Sequence, residues 1–313
     1  MKLIPWLGRA ALLVAGGLLG LPVWAAEEKG HPAKPLLWKV EGNGLEKPSY
    51  LFGTIHVSTP AIANLHPAAE KALAASEVVY TEIPLDADTQ LKMMPLLLRK
   101  DGKTLSDSIG KELSAALDAE LKLINPQLNA IPFQPLETWA VTMSLPLLKY
   151  QLKGMKAVDQ VVSESAKKAG KETRAIETVE EQMGLLGGFK EEENIIILKE
   201  TLSQLTDDRA KGVDSLEVML GAYAAGDDGK LEQEINRMSQ SIADSEHKEL
   251  GERFVKKLFD DRNLSMAVTI GEFLGKEGGK VHFFAAGSGH FIGKDNIRDH
   301  LAKKGYRITR IED

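Results

Sequence analysis

Two segments near opposite ends of the chain share one design, and any fold must accommodate both. Tyr50-Leu-Phe-Gly-Thr-Ile-His-Val57 and Val281-His-Phe-Phe-Ala-Ala-Gly-Ser-Gly-His290 are apolar, strand-like runs that close on Gly-x-x-His, pairing Gly53 with His56 and Gly287 with His290. Such runs suit strands buried on both faces of a helix-covered sheet. Imidazole carries protons near neutral pH and binds metals. Two of them at equivalent strand ends are therefore expected in one site, beyond the carboxyl edge of the sheet where ligands of such sheets lie. Each glycine is expected to let the backbone turn there.

The intervening pattern predicts the rest of the sheet. A short strand over 36–41 and the turn Gly42-Asn43-Gly44 form a hairpin with the first Gly-x-x-His segment. Alternation there places Tyr50, Phe52, Thr54 and His56 on one face. Pro67 opens a helix that delivers the chain into an apolar strand over 78–83, interrupted by Glu82, and this strand–helix–strand order implies a right-handed crossover. Residues 86–150 are helical with breaks at Pro126, Pro132 and Pro135. A helix over 158–169 closes at Gly170, a short strand covers 173–177, and Thr178-Val-Glu-Glu181 is a capping box. Helical stripes fill 191–275 before a last strand–helix–strand. The expected class is α/β (α+β): a central mixed β-sheet with flanking helices and a large helical insertion between the N-terminal and C-terminal strands. It forms a single domain over 36–311 with its helical layer at about 86–275.

With 313 residues, 43% hydrophobic and 27% charged, the composition is that of a folded chain. Residues 1–25 carry Lys2 and Arg9, an apolar run and Val23-Trp24-Ala25, the pattern of a cleavable secretory leader, followed by a flexible connector over 26–35. The expected location is periplasmic or secreted, with membrane contact only through the leader during export. Losing Lys2 and Arg9 takes the net charge from −6 to −8, and no basic tract is present, so no nucleic-acid partner is expected. The absence of cysteine excludes disulfides, thiol nucleophiles and zinc–thiolate sites.

Other residues join the histidines as candidates. Glu82 closes an apolar strand, where a carboxylate needs a partner, either a surface cation or the site. His, His and Glu is a ligand set for a divalent ion with an open position for water. Arg262 falls inside the apolar stripe Val255, Leu258, Phe259, Met266, Ile270, so its guanidinium needs an anion, either Glu177 or a developing oxyanion of the substrate. Asn263 could orient the same group, and Glu177 stands at another strand end. His31, His66, His247 and His300 sit in surface contexts, and His282, internal to a strand, is expected to pack. The run from Gly287 to Asp295 fails as a P-loop because Asp295 stands where Ser or Thr is required, and Ser288 lacks the glycines of a nucleophile elbow.

Taken together, several short motifs resemble the TraB/GumN family, which includes TIKI-type metalloproteases and is distantly similar to erythromycin-esterase-like proteins. They are Leu37-Trp-Lys39, Phe52-Gly-Thr-Ile-His56, Val79-Tyr-Thr-Glu82, Gly154 with Asp159, Ile176-Glu-Thr-Val-Glu-Glu-Gln182, Arg262-Asn263, Ala285-Ala-Gly-Ser-Gly-His290, Gly293 and Gly305-Tyr306. The chain departs from the family pattern at Thr138, which replaces a proline before Trp139. The resemblance implies an active site built on the Gly-x-x-His pair, with Glu82 and Arg262 at the family's other polar positions. In the TIKI-like branch it implies metal-dependent peptide hydrolysis, and in the esterase-like one a histidine that activates water without metal. The leading expectation is an exported hydrolase of peptides or of small esters and amides. His56, Glu82 and His290 would hold manganese, cobalt or zinc, Arg262 would stabilise the oxyanion, and Glu177 and Asn263 would contact substrate. A non-enzymatic envelope protein that grips haem or a peptide is the expectation from a different class.

Overall fold

The computed structural model describes residues 30–243 and 246–313. The expected leader, its cleavage point and the start of the 26–35 connector lie outside the described residues. The rest divides into two compact units, one holding residues 30–85, Ala157–Gln182 and Glu217–Asp313, the other Asp86–Lys156 and Met183–Leu216.

The first unit holds the sheet, and the chain is α/β as expected. Its strands are β1 (Leu37–Gly42), β2 (Ser49–Thr54), β3 (Val78–Thr81), β4 (Glu172–Ala175), β5 (His282–Gly287) and β6 (Tyr306–Ile311), in spatial order β4-β3-β5-β2-β1-β6. β1 and β2 form the expected hairpin, with Leu37 opposite Phe52 and Val40 opposite Ser49. Gly42, Asn43 and Gly44 follow one another at φ of 84°, 46° and 83°, a left-handed turn that glycine and asparagine tolerate. β2, β5, β3 and β4 run parallel, and the mixed character comes from β1, which is antiparallel to both β2 and β6. The crossover from β2 to β3 skips one position. β5, buried at every residue, fills it and so brings the two Gly-x-x-His strands side by side, with Thr54 opposite Gly287.

β2 stops at Thr54, and His56 follows two residues past its end. One expectation is corrected here. Neither Gly53 nor Gly287 has positive φ, and the need for glycine is spatial. A Cβ on Gly53 would lie 3.0 Å from Leu36 Cβ, and one on Gly287 would intrude among the site side chains described below. His282 packs as expected: its ring stacks on Phe284, Nε2 donates to the Glu277 carbonyl at 3.1 Å, and Nδ1 takes the Tyr80 hydroxyl at 3.1 Å. Among the described residues no helix is long and apolar enough to cross a membrane.

The second unit is helical, with helices Ala87–Leu97, Leu105–Ile124, Thr138–Gln151 and Glu191–Ala210. Arg99 ties it together. Its side chain is 3% exposed and donates to Asp101 at 2.7 Å, Ser108 at 2.6 Å, Glu191 at 3.0 Å and Thr138 at 3.3 Å. Arg99→Met is expected to cost about 2 kcal/mol. That is below the ~3–5 kcal/mol of a broken buried pair, because Asp101 and Glu191 can recover water, and above a surface pair, because the guanidinium itself is buried. Lysine should not rescue it, since one ammonium cannot span four acceptors. Urea denaturation of the three proteins checks this, and a midpoint unchanged in Arg99→Met would refute it.

Candidate active site

The carboxyl ends of the four parallel strands converge on one cluster. His56 follows β2, Glu82 follows β3, Glu177 follows β4, and Ser288–His290 form a short turn directly after β5. The chain after β4 is laid against the chain after β3 by Ile176 and Glu177 N–H groups, which donate to the Glu82 carbonyl at 3.2 and 2.8 Å. The helix Val158–Lys168 docks at the end of β2 because Val158 N–H donates to the Ile55 carbonyl at 3.1 Å, leaving Asp159 in its first turn beside His56. Arg262 and Asn263 come from the start of the helix Asp261–Lys276, just after a π-turn over Lys256–Asp260, a geometry that recurs at functional sites. Phe259 in that π-turn lies against the His290 ring, 5.7 Å between centroids, and a Cβ on Gly289 would come within 2.7 Å of it.

The two histidines have unlike partners. His56 Nδ1 donates to Asp159 Oδ2 at 3.0 Å, and Thr54 donates to the other oxygen of the same carboxylate. His290 Nδ1 faces Asn263 Oδ1 at 2.8 Å. Because Asn263 Nδ2 donates to the Asp295 carbonyl at 3.3 Å, its oxygen is the atom turned to His290, whose Nδ1 must then carry the proton. Both rings therefore keep Nε2 for the site. The Asp159 charge, against some desolvation, pushes His56 up to about 9, and its side chain is 55% exposed. Burial, reinforced by the Arg262 charge, pushes His290 down to about 3.

Glu82, Glu177 and Arg262 form a buried triad. Arg262 Nη2 donates to Glu82 Oε2 and to Glu177 Oε2, each at 2.6 Å, and Nε donates to Glu177 Oε1 at 3.1 Å. Gln182 Nε2 adds a bond to Glu82 Oε2 at 2.8 Å, and Gly287 N–H one to Oε1 at 2.6 Å. Burial opposes ionisation of Glu82, but the Arg262 charge and the site's other donors outweigh it and hold the carboxyl well below the usual range. For Glu177 burial wins and the carboxyl is raised, because one guanidinium serves two carboxylates.

Of the two partners left open for Arg262, Glu177 is the one present, with Glu82 added. Glu177 is spent on that arginine, with its side chain 4% exposed. Asn263 orients His290, and not the partner of Arg262. Two residues without an expected site role enter the cluster. Asp159 enters the sequence reading only as part of the family resemblance, with no role attached; Thr54, a polar residue in a buried strand, is the signal that something must meet it. Gln182 stands next to Glu181, which caps its helix with Thr178 as the sequence predicts, and nothing local marks it.

Whether these residues fit a metal ion can be tested on their spacing. Glu82 Oε1 lies 4.0 Å from His56 Nε2 and 3.9 Å from His290 Nε2. A Cβ on Gly287 would meet Glu82 Oε1 at 3.2 Å and His56 Nε2 at 3.4 Å, so the missing side chain leaves a hollow among the three groups. Atoms about 4 Å apart can share one ion at ~2.0–2.2 Å from each. Each imidazole also has the outer partner on Nδ1 that metal-ligating histidines have. Among the described residues no three His, Asp or Glu side chains form a ready-made metal site. The donor chemistry of His56, Glu82 and His290 nevertheless suits one, with separations wider than the roughly 3.4 Å between ligands of a tetrahedral ion.

Fold and site together define an α/β protein with a histidine pair and a buried acid at the carboxyl edge of its sheet. Residues 36–310 match the TraB/PrgY/gumN family, and the chain belongs to it, as its motifs indicate. Among curated proteins it is similar to metalloprotease TIKI2 of Danio rerio, 26% identical over 310 residues covering 87% of this chain and 60% of the relative. It is also similar to metalloprotease TIKI1 of Xenopus tropicalis, 27% identical over 90% of this chain and 62% of the relative. Metalloprotease TIKI1 of Homo sapiens is 25% identical over 92% of this chain and 66% of the relative. The chain thus spans about three fifths of the length of the first two. No solved structure matches.

Proposed function

We propose that this protein is an exported, metal-dependent hydrolase of peptide bonds or of small esters and amides, with His56, Glu82 and His290 as the ligands. The observation that supports it most is the pair of Nε2 atoms held 4.0 and 3.9 Å from one oxygen of Glu82 around the hollow at Gly287. Below about pH 9 a proton on His56 faces the Glu82 carboxylate there, and a divalent ion would take the place of that proton. A divalent ion in that place supplies Lewis-acid polarisation of a carbonyl and a water of lowered pKa. Arg262, Gln182 and the Gly287 N–H keep Glu82 ionised and fixed, which replaces the expected oxyanion role of Arg262 with one exerted through Glu82. The relatives named metalloproteases support the reaction class, and the leader pattern in the sequence supports export.

A second reading is favoured by one feature: His56 is half exposed and paired with a carboxylate, as a general base would be. There the site holds a proton in place of a metal. Titration calorimetry of the chelator-treated, untagged protein with zinc, manganese and cobalt separates the two. Wild type is expected to bind, and His56→Ala and His290→Ala to bind more than about 100-fold more weakly, with peptide and ester hydrolysis lost on chelation and restored by metal. Unchanged binding in both variants would sink the metal reading. Hydrolysis that survives chelation but dies in the same variants would install the general-base one.

A further inference from the structure

The outer partners of the two histidines differ in charge, and that difference has a function. His290 leans on a neutral amide, Asn263, whereas His56 leans on Asp159, whose second oxygen is tied down by Thr54 and whose helix is pinned to β2 by the Val158–Ile55 backbone bond. His290 is buried, with Phe259 against its ring, so packing restrains it together with that amide. The His56 side chain is 55% exposed and has no such walls. An exposed imidazole rotates and exchanges tautomers freely unless a hydrogen bond stops it.

We infer that Asp159 is a positioning residue for His56: it fixes the proton on Nδ1, aims Nε2 at the space beside Glu82, and makes this ring the stronger electron-pair donor of the pair. Thr54 acts one step further out by choosing which way the carboxylate faces. The inference rests on the reading of His56 as a ligand, but a charged partner that raises imidazole basicity serves a general base equally well.

The test uses the full chain and two readouts. Long-range nitrogen–proton NMR spectra of the chelator-treated protein, at a pH above the His56 midpoint where the ring is neutral, report the tautomer directly. Wild type is expected to carry the proton on Nδ1, and a neutral ring with its proton on Nε2 would overturn the inference with no variant needed. In Asp159→Ala, which removes the acceptor, the tautomer preference is expected to be lost, and in Asp159→Asn, which keeps an acceptor oxygen but not the charge, zinc is expected to bind about 10-fold more weakly in calorimetry. The wild-type tautomer in Asp159→Ala, or wild-type zinc affinity in both variants, would also overturn it. If wild type binds no zinc, the metal reading fails while the tautomer comparison still decides the role of Asp159. A residue that merely tied a helix to a strand would change thermal stability and leave the tautomer alone.

Discussion

Arg262→Met is expected to destabilise the protein by about 3–5 kcal/mol and to remove metal binding at neutral pH. The size follows from what the substitution leaves behind. The side chains of Arg262, Glu82 and Glu177 are 6%, 7% and 4% exposed, so two carboxylates would remain without the guanidinium that serves both and without easy access to water. Like charges at that range cannot both stay ionised, and at least one would take up a proton. Glu82, now held low against the pull of burial chiefly by Arg262, would rise and cease to be an anionic ligand. Lysine should recover little, because one ammonium cannot replace bonds from both Nε and Nη2. Against a total stability of ~5–15 kcal/mol the variant could fail to accumulate, so Glu177→Gln is the companion. That variant removes the carboxyl that burial has already raised. It should cost well under half as much and leave Glu82 ionised and metal affinity within about threefold of wild type. Urea denaturation and zinc calorimetry report both quantities. A loss below about 1 kcal/mol in Arg262→Met would mean that the triad is not the anchor of the site.

Much of this architecture is legible before any coordinates. Strands that are apolar on both faces announce a covered sheet, and the Gly-x-x-His echo announces that two of them end together. Arg262, inside an apolar stripe, announces a buried anion. What stays hidden depends on pairings across the chain. Nothing local says that β5 enters between β2 and β3, because strand order is set by how a late strand fills the gap left by an early crossover. Asp159 and Gln182 are hidden for the same reason. Each belongs to a motif of the family resemblance but is a polar residue near a helix start with no role of its own to read there, and its meaning comes from a strand end more than 90 positions away. The glycines show a subtler failure. Their presence was informative, but the physical reason was space and not backbone freedom, and sequence cannot separate the two.

Metal binding is expected to strengthen about tenfold per pH unit up to pH ~9, so about 100-fold between pH 6 and 8. The cause lies in His56. Asp159 first, with the charge of Glu82 adding and Arg262 and desolvation opposing, raises it from 6.5 to about 9, so the apo site carries a proton where a ligand is needed. Each ion bound below that point must release one proton. His290, pushed down to about 3, and Glu82, held below the carboxylate range, release none in this window. The apo protein should show the opposite trend. A group whose folded pKa is raised contributes stability that is complete below the unfolded value, here 6.5, and is lost as pH rises through about 9. Because the ring is 55% exposed, that contribution is of surface size, about 1 kcal/mol at most. Thermal midpoints measured from pH 6 to pH ~9.5 should therefore fall slightly in chelator and climb with a fixed, subsaturating zinc concentration, since ligand stabilisation grows with affinity. His56→Gln should flatten both curves. Zinc affinity that does not vary with pH would show that His56 is not a ligand, and the site would then be built on the proton that Asp159 holds there.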